Sequence, residues 1–287
     1  MKISGWMKRN FPVFVLVVMA GIIYSCRKDK DDDPGEVNMI LETQGNNSAI
    51  LEGAVIGDSS ESKESLRKTI DIEIVNDTGN FDISRAYICR STSTISQINW
   101  IIPAKNISGN NLVYIKANDI QFKTSQFILI GSDEEEFIYG ELGEDNYIYT
   151  TTFLSAGEKG YFVGKKEIPF DELSNIEINS IESGTNNFYR SSIKVVPMSY
   201  ELVNNRITVK VKNKSMVTVY AIKSPYILLD NQNLPLFWDY LEPVIDSIEV
   251  PVIEIYPGEM VNFQAVNYYK GNCNRILPII EYGLNPY

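Results

Sequence analysis

The sequence predicts an all-β protein: two tandem antiparallel β-sandwiches behind an N-terminal leader and a short disordered tether. Three observations carry this. From Ile70 onward, apolar and polar residues alternate with a period of two, as in Ile70, Ile72 and Ile74 around Asp71 and Glu73. The runs are rich in Tyr, Ile, Val, Thr and Phe, which fit a pleated surface, and are broken by Gly, Asn, Asp and Ser. No stretch carries an apolar stripe of helical period.

The leader spans residues 1–25. Lys2, Lys8 and Arg9 precede 14 uncharged residues, Phe11 to Tyr24. That is short of the roughly 20 apolar residues a spanning helix needs. Ser25 then stands directly before Cys26. A positive start, a short apolar run and a small residue describe a cleavable signal. With the Cys in that place, the segment resembles the signal of Bacteroidota-type outer-membrane lipoproteins. Ile23 and Tyr24 stand where that family usually has Leu and a small residue. The resemblance implies lipidation of Cys26 and attachment to the outer membrane through acyl chains. An uncleaved signal anchor over Gly5 to Tyr24 is the alternative.

Residues 26–45 hold the lipidated Cys and an acidic tether. Arg27 to Glu36 is too charged, and too broken by Pro34-Gly35, to build a core. Asp31, Asp32 and Asp33 resemble the acidic export tag of surface-exposed lipoproteins. Asp29, Asp31 and Asp33 have the spacing of a calcium loop, but Pro34 and Ile40 occupy the places of its glycine and closing glutamate.

Residues 46–185 are expected to form the first sandwich. AILEGAVIG, IDIEIVN, ISRAYICR, NLVYIKA, QFILIG, NYIYTTT and GYFVG are its expected strands, and Trp100 is expected in its core. Residues 186–287 form the second. SYELVNNRITVKVKN reads as a hairpin around Asn204-Asn205, with Ile207, Val209 and Val211 facing inward. Pro251 marks an edge or bulge. An internal repeat pairs IDIEIVN at Ile70–Asn76 with ITVKVKN at Ile207–Asn213. It also pairs AGEKGYF at Ala156 with PGEMVNF at Pro257. On that alignment the first copy carries about 36 extra residues, the difference between spacings of 81 and 45. A strand ending in Asn, then a late Pro-Gly-Glu entering a strand, resembles bacterial immunoglobulin-like or fibronectin-like sandwiches. The resemblance covers Ile207 to Val266 best. It implies two packed antiparallel sheets per domain.

Composition narrows the chemistry. The chain has a formal charge of -11, and loss of residues 1–25 removes three cations and no acid, giving -14. A strongly acidic surface argues against nucleic acid, whose phosphates require a basic patch. There is no histidine. That rules out Ser-His-Asp and Cys-His catalysis and His-ligated metals. No P-loop, dinucleotide fingerprint, G-x-S-x-G or Cys-x-x-Cys occurs, so no cofactor is expected. Cys89 and Cys273 are expected as buried free thiols in different domains, with a bridge between them in an oxidising compartment as the alternative.

Two stretches invite a functional reading. LPLFWDYLEP at Leu234–Pro243 reads as a loop in which Phe237, Trp238, Asp239 and Tyr240 form a candidate ligand site. Aromatic faces stack on sugar rings and carboxylates bind hydroxyls. The structural alternative is an aromatic cluster capping one end of the sandwich. GSDEEEFIYGELGEDN at Gly131–Asn146 reads as a solvated acidic hairpin end, or as an oxygen-rich loop. Asp246-Ser247-Ile248 resembles the short O-glycosylation acceptor of Bacteroidota-type exported proteins.

The expectation is a non-enzymatic, lipid-anchored, surface-exposed binding or scaffold module with a glycan or protein partner. The alternative is a carbohydrate-binding lipoprotein of a polysaccharide-utilisation system. A hydrolase using carboxylates alone is the enzymatic alternative.

Overall fold

The computed structural model describes residues 67–90, 97–141, 144–145, 152–185, 195–269, 271 and 273–284. Among them there are strands and turns and no helix. AILEGAVIG and most of NYIYTTT lie outside the described residues.

The first half contains β1 (Arg67–Asn76), β2 (Phe81–Asp82), β3 (Arg85–Arg90), β4 (Gln97–Asn106) and β5 (Leu112–Lys123). It continues with β6 (Leu129–Gly140), β7 (Glu144–Asp145), β8 (Phe153–Leu154), β9 (Lys159–Glu167) and β10 (Asn175–Thr185). The second half begins with β11 (Val195–Val203), β12 (Arg206–Asn213), β13 (Val219–Ile222), β14 (Ser224–Leu229) and β15 (Pro235–Ile245). It ends with β16 (Ile248–Glu249), β17 (Val252–Ile255), β18 (Met260–Val266), β19 (Arg275–Pro278) and β20 (Glu281–Gly283).

Both halves are built on one plan. In the first, β3, β4, β9 and β6 pair in that order, and β6, β5 and β10 pair on the other side. β6 belongs to both layers: Leu129–Phe137 runs along β5, and Ile138–Gly140 runs along β9. In the second half, β11, β12, β18 and β15 pair in order, then β15, β14 and β19. β15 switches in the same way, with Pro235–Leu241 along β14 and Glu242–Val244 along β18. All these pairings are antiparallel.

Two pairings are parallel, which the sequence did not indicate. β1 lies antiparallel to β3 over Arg67–Asp71, then parallel to β10 over Ile72–Asn76. It thereby closes the first half into a barrel-like ring of seven strands. β7 pairs parallel with β20, so the first half sends one short strand to the second.

The repeat is therefore physical, but its first landmark is Asn106, not Asn76. Asn106 and Asn213 end equivalent strands and are fully buried. The Asn106 amide donates to the carbonyls of Asn110 at 2.7 Å and Leu154 at 3.1 Å. The Asn213 amide donates to those of Val217 at 2.8 Å and Ile255 at 2.9 Å. Each Oδ1 accepts from a Ser two residues on, Ser108 or Ser215. Each backbone carbonyl accepts from a Gly at φ 79°, Gly157 or Gly258. The following carboxylates, Glu158 and Glu259, both accept a backbone N–H at 2.8 Å. Asn106 and Gly157 are 51 residues apart, Asn213 and Gly258 45. The first copy is six residues longer between these landmarks, not 36. Asn76 instead sits on the surface, donating to Asn179. Its sequence neighbourhood matched because alternating strands resemble one another.

A second shared device is the five-residue turn between the third and fourth strands of the plan. Thr124 Oγ1 accepts the N–H groups of Gln126 and Ile128; Asp230 Oδ1 accepts those of Gln232 and Leu234. Phe127 (φ 60°) and Asn233 (φ 59°) hold the same left-handed place. QFILIG, expected as one strand, therefore spans this turn and the start of β6. The Asn204-Asn205 hairpin forms as the sequence indicates, with both residues at positive φ.

Each half has its own core. Trp100, Phe122, Phe162, Ile88 and Ile115 fill the first; Tyr226, Phe263, Val209 and Leu228 fill the second. Trp100 lies opposite Gly164 in the β4–β9 ladder. A Cβ on Gly164 would come within 2.3 Å of the indole, so the ring requires a residue without a side chain there.

Candidate functional site

The aromatic run at 237–240 is not a loop. It lies mid-strand in β15. Its flanking prolines read as loop punctuation, yet both fit the strand. Pro235 opens β15 at a bulge, and Pro243 falls where β15 has left β14 for β18.

Strand alternation then divides the four residues. Phe237 points into the second core and stacks on Tyr269, centroids 5.9 Å apart. Trp238 points the other way, into a third apolar cluster with Ile227, Leu229 and Ile279 from its own half and Ile101, Tyr161 and Val163 from the first. Only 3% of Trp238 is exposed. Its indole N–H donates to the Gly164 carbonyl at 3.1 Å, and its own carbonyl accepts from the Asn99 amide at 2.8 Å. Lys165 lies over the ring at 5.3 Å and pairs with Asp239 at 2.7 Å. Arg67 of β1 pairs with Asp230 at 2.9 Å. Cys89 of β3 is buried in the second core cluster. Burial pushes its thiol up to about 12. Cys89 and Cys273 are both free.

These contacts form a seam that joins the halves. Its apolar face appears once. In the second half, Thr208, Asn262 and Gln264 occupy the positions of Ile101, Tyr161 and Val163, counted from the shared Asn and Glu landmarks.

The half-buried Tyr240 packs edge-on against Trp238, centroids 5.2 Å apart, under the Lys223 ammonium at 4.7 Å. Burial raises its phenol, partly offset by a hydrogen bond from Tyr139, with Glu281 and Glu136 adding negative charge nearby. Burial pushes Glu281 up to about 7. Glu136 is also pushed up to about 7, by burial first and then by the Asp133 charge.

The acidic stretch is likewise not a hairpin end: 131–140 run within β6. Several of its acids meet cations from neighbouring strands, Asp133 with Lys166 and Glu135 with Lys116 at 2.8 Å. Among the described residues, no group of three or more acids or cysteines is placed to hold a metal ion. Ser247 stands exposed at the tip of the turn between β15 and β16. Cys26 lies outside the described residues.

A different surface is open. On the outer face of β6, β5, β10 and β1 lies a cleft of about 830 Å³. It is lined by Tyr114 and Phe137, with Asn76, Asn80, Ser180 and Lys116 around them. Tyr114 is 54% exposed and Phe137 37%. The strand around Tyr114 was readable in sequence as NLVYIKA; the strand around Phe137, and the exposure of both rings, were not.

No protein-family model matches the chain, and no curated protein matches it. Among solved structures, it is similar to the transglutaminase of red sea bream, at 10% identity and a TM-score of 0.21. That match covers 71% of this chain and 30% of the other, so the chain spans under a third of that structure's length. At this TM-score the likeness carries no argument.

Proposed function

We propose that this protein is a lipid-anchored, surface-exposed, non-enzymatic binding module whose two sandwiches are immunoglobulin-like. The repeated pairing order supports the family assignment. Numbering the six shared strands along the chain, 1-2-5-4 form one layer and 3-6 the other. This is the A-B-E-D against C-F arrangement of immunoglobulin sandwiches. The Trp238 seam carries the functional part. It spends large aromatic, amide and charged groups on fixing one half to the other, which suits a stiff stem that holds a surface at a set distance from its anchor.

The anchor is Cys26, by the signal that precedes it. Intact cells expressing the full chain should lose the protein to added protease. The Cys26→Ala variant should no longer be retained in the outer membrane. A protein resistant to protease on intact cells, and equally membrane-bound after Cys26→Ala, contradicts the proposal.

A second reading is carbohydrate capture. It no longer rests on Trp238, which is buried in the seam. The exposed Tyr114 and Phe137 rings favour it instead.

A further inference from the structure

We infer that the cleft beside Tyr114 and Phe137 binds a neutral polysaccharide chain; this rests on the binding-module reading above and names its ligand class. Lys116 stands directly across from Phe137 in the β5–β6 ladder and from Glu182 in the β5–β10 ladder. Tyr114 precedes it by two residues on the same outward face. The two rings thus flank one strip of sheet.

Tyr114 is held at φ 53° in mid-strand, while Gly184 and Val113 pair beside it. The left-handed region carries a steric cost for a bulky residue. Core packing does not offset this cost, because the ring is turned outward. Backbone bonds to Thr152, from Tyr114 N–H to its carbonyl at 3.0 Å and from Ile115 N–H to its hydroxyl, hold this conformation, and it turns the ring to the cleft.

The polar groups select the ligand. Asn76, Asn80, Thr78 and Ser180 offer amides and hydroxyls around the rings. Pyranose rings have apolar C–H faces that pack on aromatic rings, and equatorial hydroxyls that hydrogen-bond with amides. The cleft's volume is within the range of ligand sites, roughly 300–1,000 Å³. Lys116 is the cation here, and Glu135 at 2.8 Å and Glu182 at 3.7 Å neutralise it. With a chain charge of -11, an anionic glycan would be repelled. A protein partner would need about 800 Å² per side with a hydrophobic centre; here polar groups separate the two rings.

The test uses the full chain in detergent, by affinity electrophoresis in gels carrying amylose, xylan, mannan or laminarin. At least one polysaccharide should retard the protein. The Tyr114→Ala, Phe137→Ala double variant should weaken that retardation at least tenfold, and Tyr114→Phe should keep it. Melting temperatures check that the variants fold. Retardation unchanged in a folded double variant would overturn this site while leaving carbohydrate capture standing. No retardation by any of the four would overturn both.

Discussion

Asn106 and Asn213 make equivalent hydrogen bonds in the two halves of the chain, each tying a strand end to a loop and to the turn before the fifth strand of the plan, and Asn106 adds one to the Ser155 carbonyl. Each side chain is buried and uses both its amide and its carbonyl. Replacing Asn213 with Ala leaves two carbonyls, and replacing Asn106 three, without their donor, and in each case the N–H and hydroxyl of the following Ser lose their acceptor. The expected loss is on the order of 2–4 kcal/mol per variant, similar in the two halves. Urea titration of Asn106→Ala and Asn213→Ala measures it. A loss under about 0.5 kcal/mol in either would remove the equivalence.

Gly164 is enclosed from two sides, by the Trp100 ring and by the Trp238 indole N–H on its carbonyl. Gly164→Ala drives a methyl into the indole of Trp100. Overpacking of this kind costs about 1–3 kcal/mol. The variant should melt well below the parent, and further below it than Gly160→Ala, whose methyl meets Ile138 and the Tyr139 carbonyl at 2.9 Å rather than a ring at 2.3 Å.

Phe127 occupies the left-handed place that Asn233 holds in the second copy, and it is 66% exposed. Asn tolerates this conformation and Phe does not. Phe127→Asn should therefore stabilise the protein by about 1 kcal/mol, seen as a higher melting temperature. A lower one would mean that the ring makes native contacts its exposure hides.

Glu281 has a folded-state pKa raised from 4.5 to about 7 by burial. It binds a proton in the folded state that it releases on unfolding between those values. Its contribution to stability is full below about pH 4.5 and falls as pH rises towards 7. Glu136, raised to about 7 as well, acts in the same direction. Stability should drop across that window. Glu281→Gln should flatten the slope; an unchanged pH profile would show that the carboxyl ionises freely in the folded protein.

Much of the architecture was legible in sequence because strand burial leaves a period-two trace. Ile207, Val209 and Val211 are fully buried, and Asn204-Asn205 turns as its chemistry indicates. Trp100 is core, as expected. The aromatic run misled because its partners are remote: Gly164 is 74 residues from Trp238, and Asn99 is 139 away. No local pattern distinguishes a ring that faces solvent from one that faces a second sandwich. The repeat was visible at Gly157 and Gly258, where a positive φ demands Gly, and misplaced at its other landmark. There a buried Asn and a surface Asn both end alternating strands.

The most direct test of the seam between the two halves is calorimetric unfolding of the full chain and of Trp238→Ala. The seam predicts one cooperative transition for the parent. In the variant, lost packing of about 3–5 kcal/mol at the seam should split it into two, one per half. Two separate transitions in the parent, or an unaltered single transition in Trp238→Ala, would show that the halves are not locked through this residue.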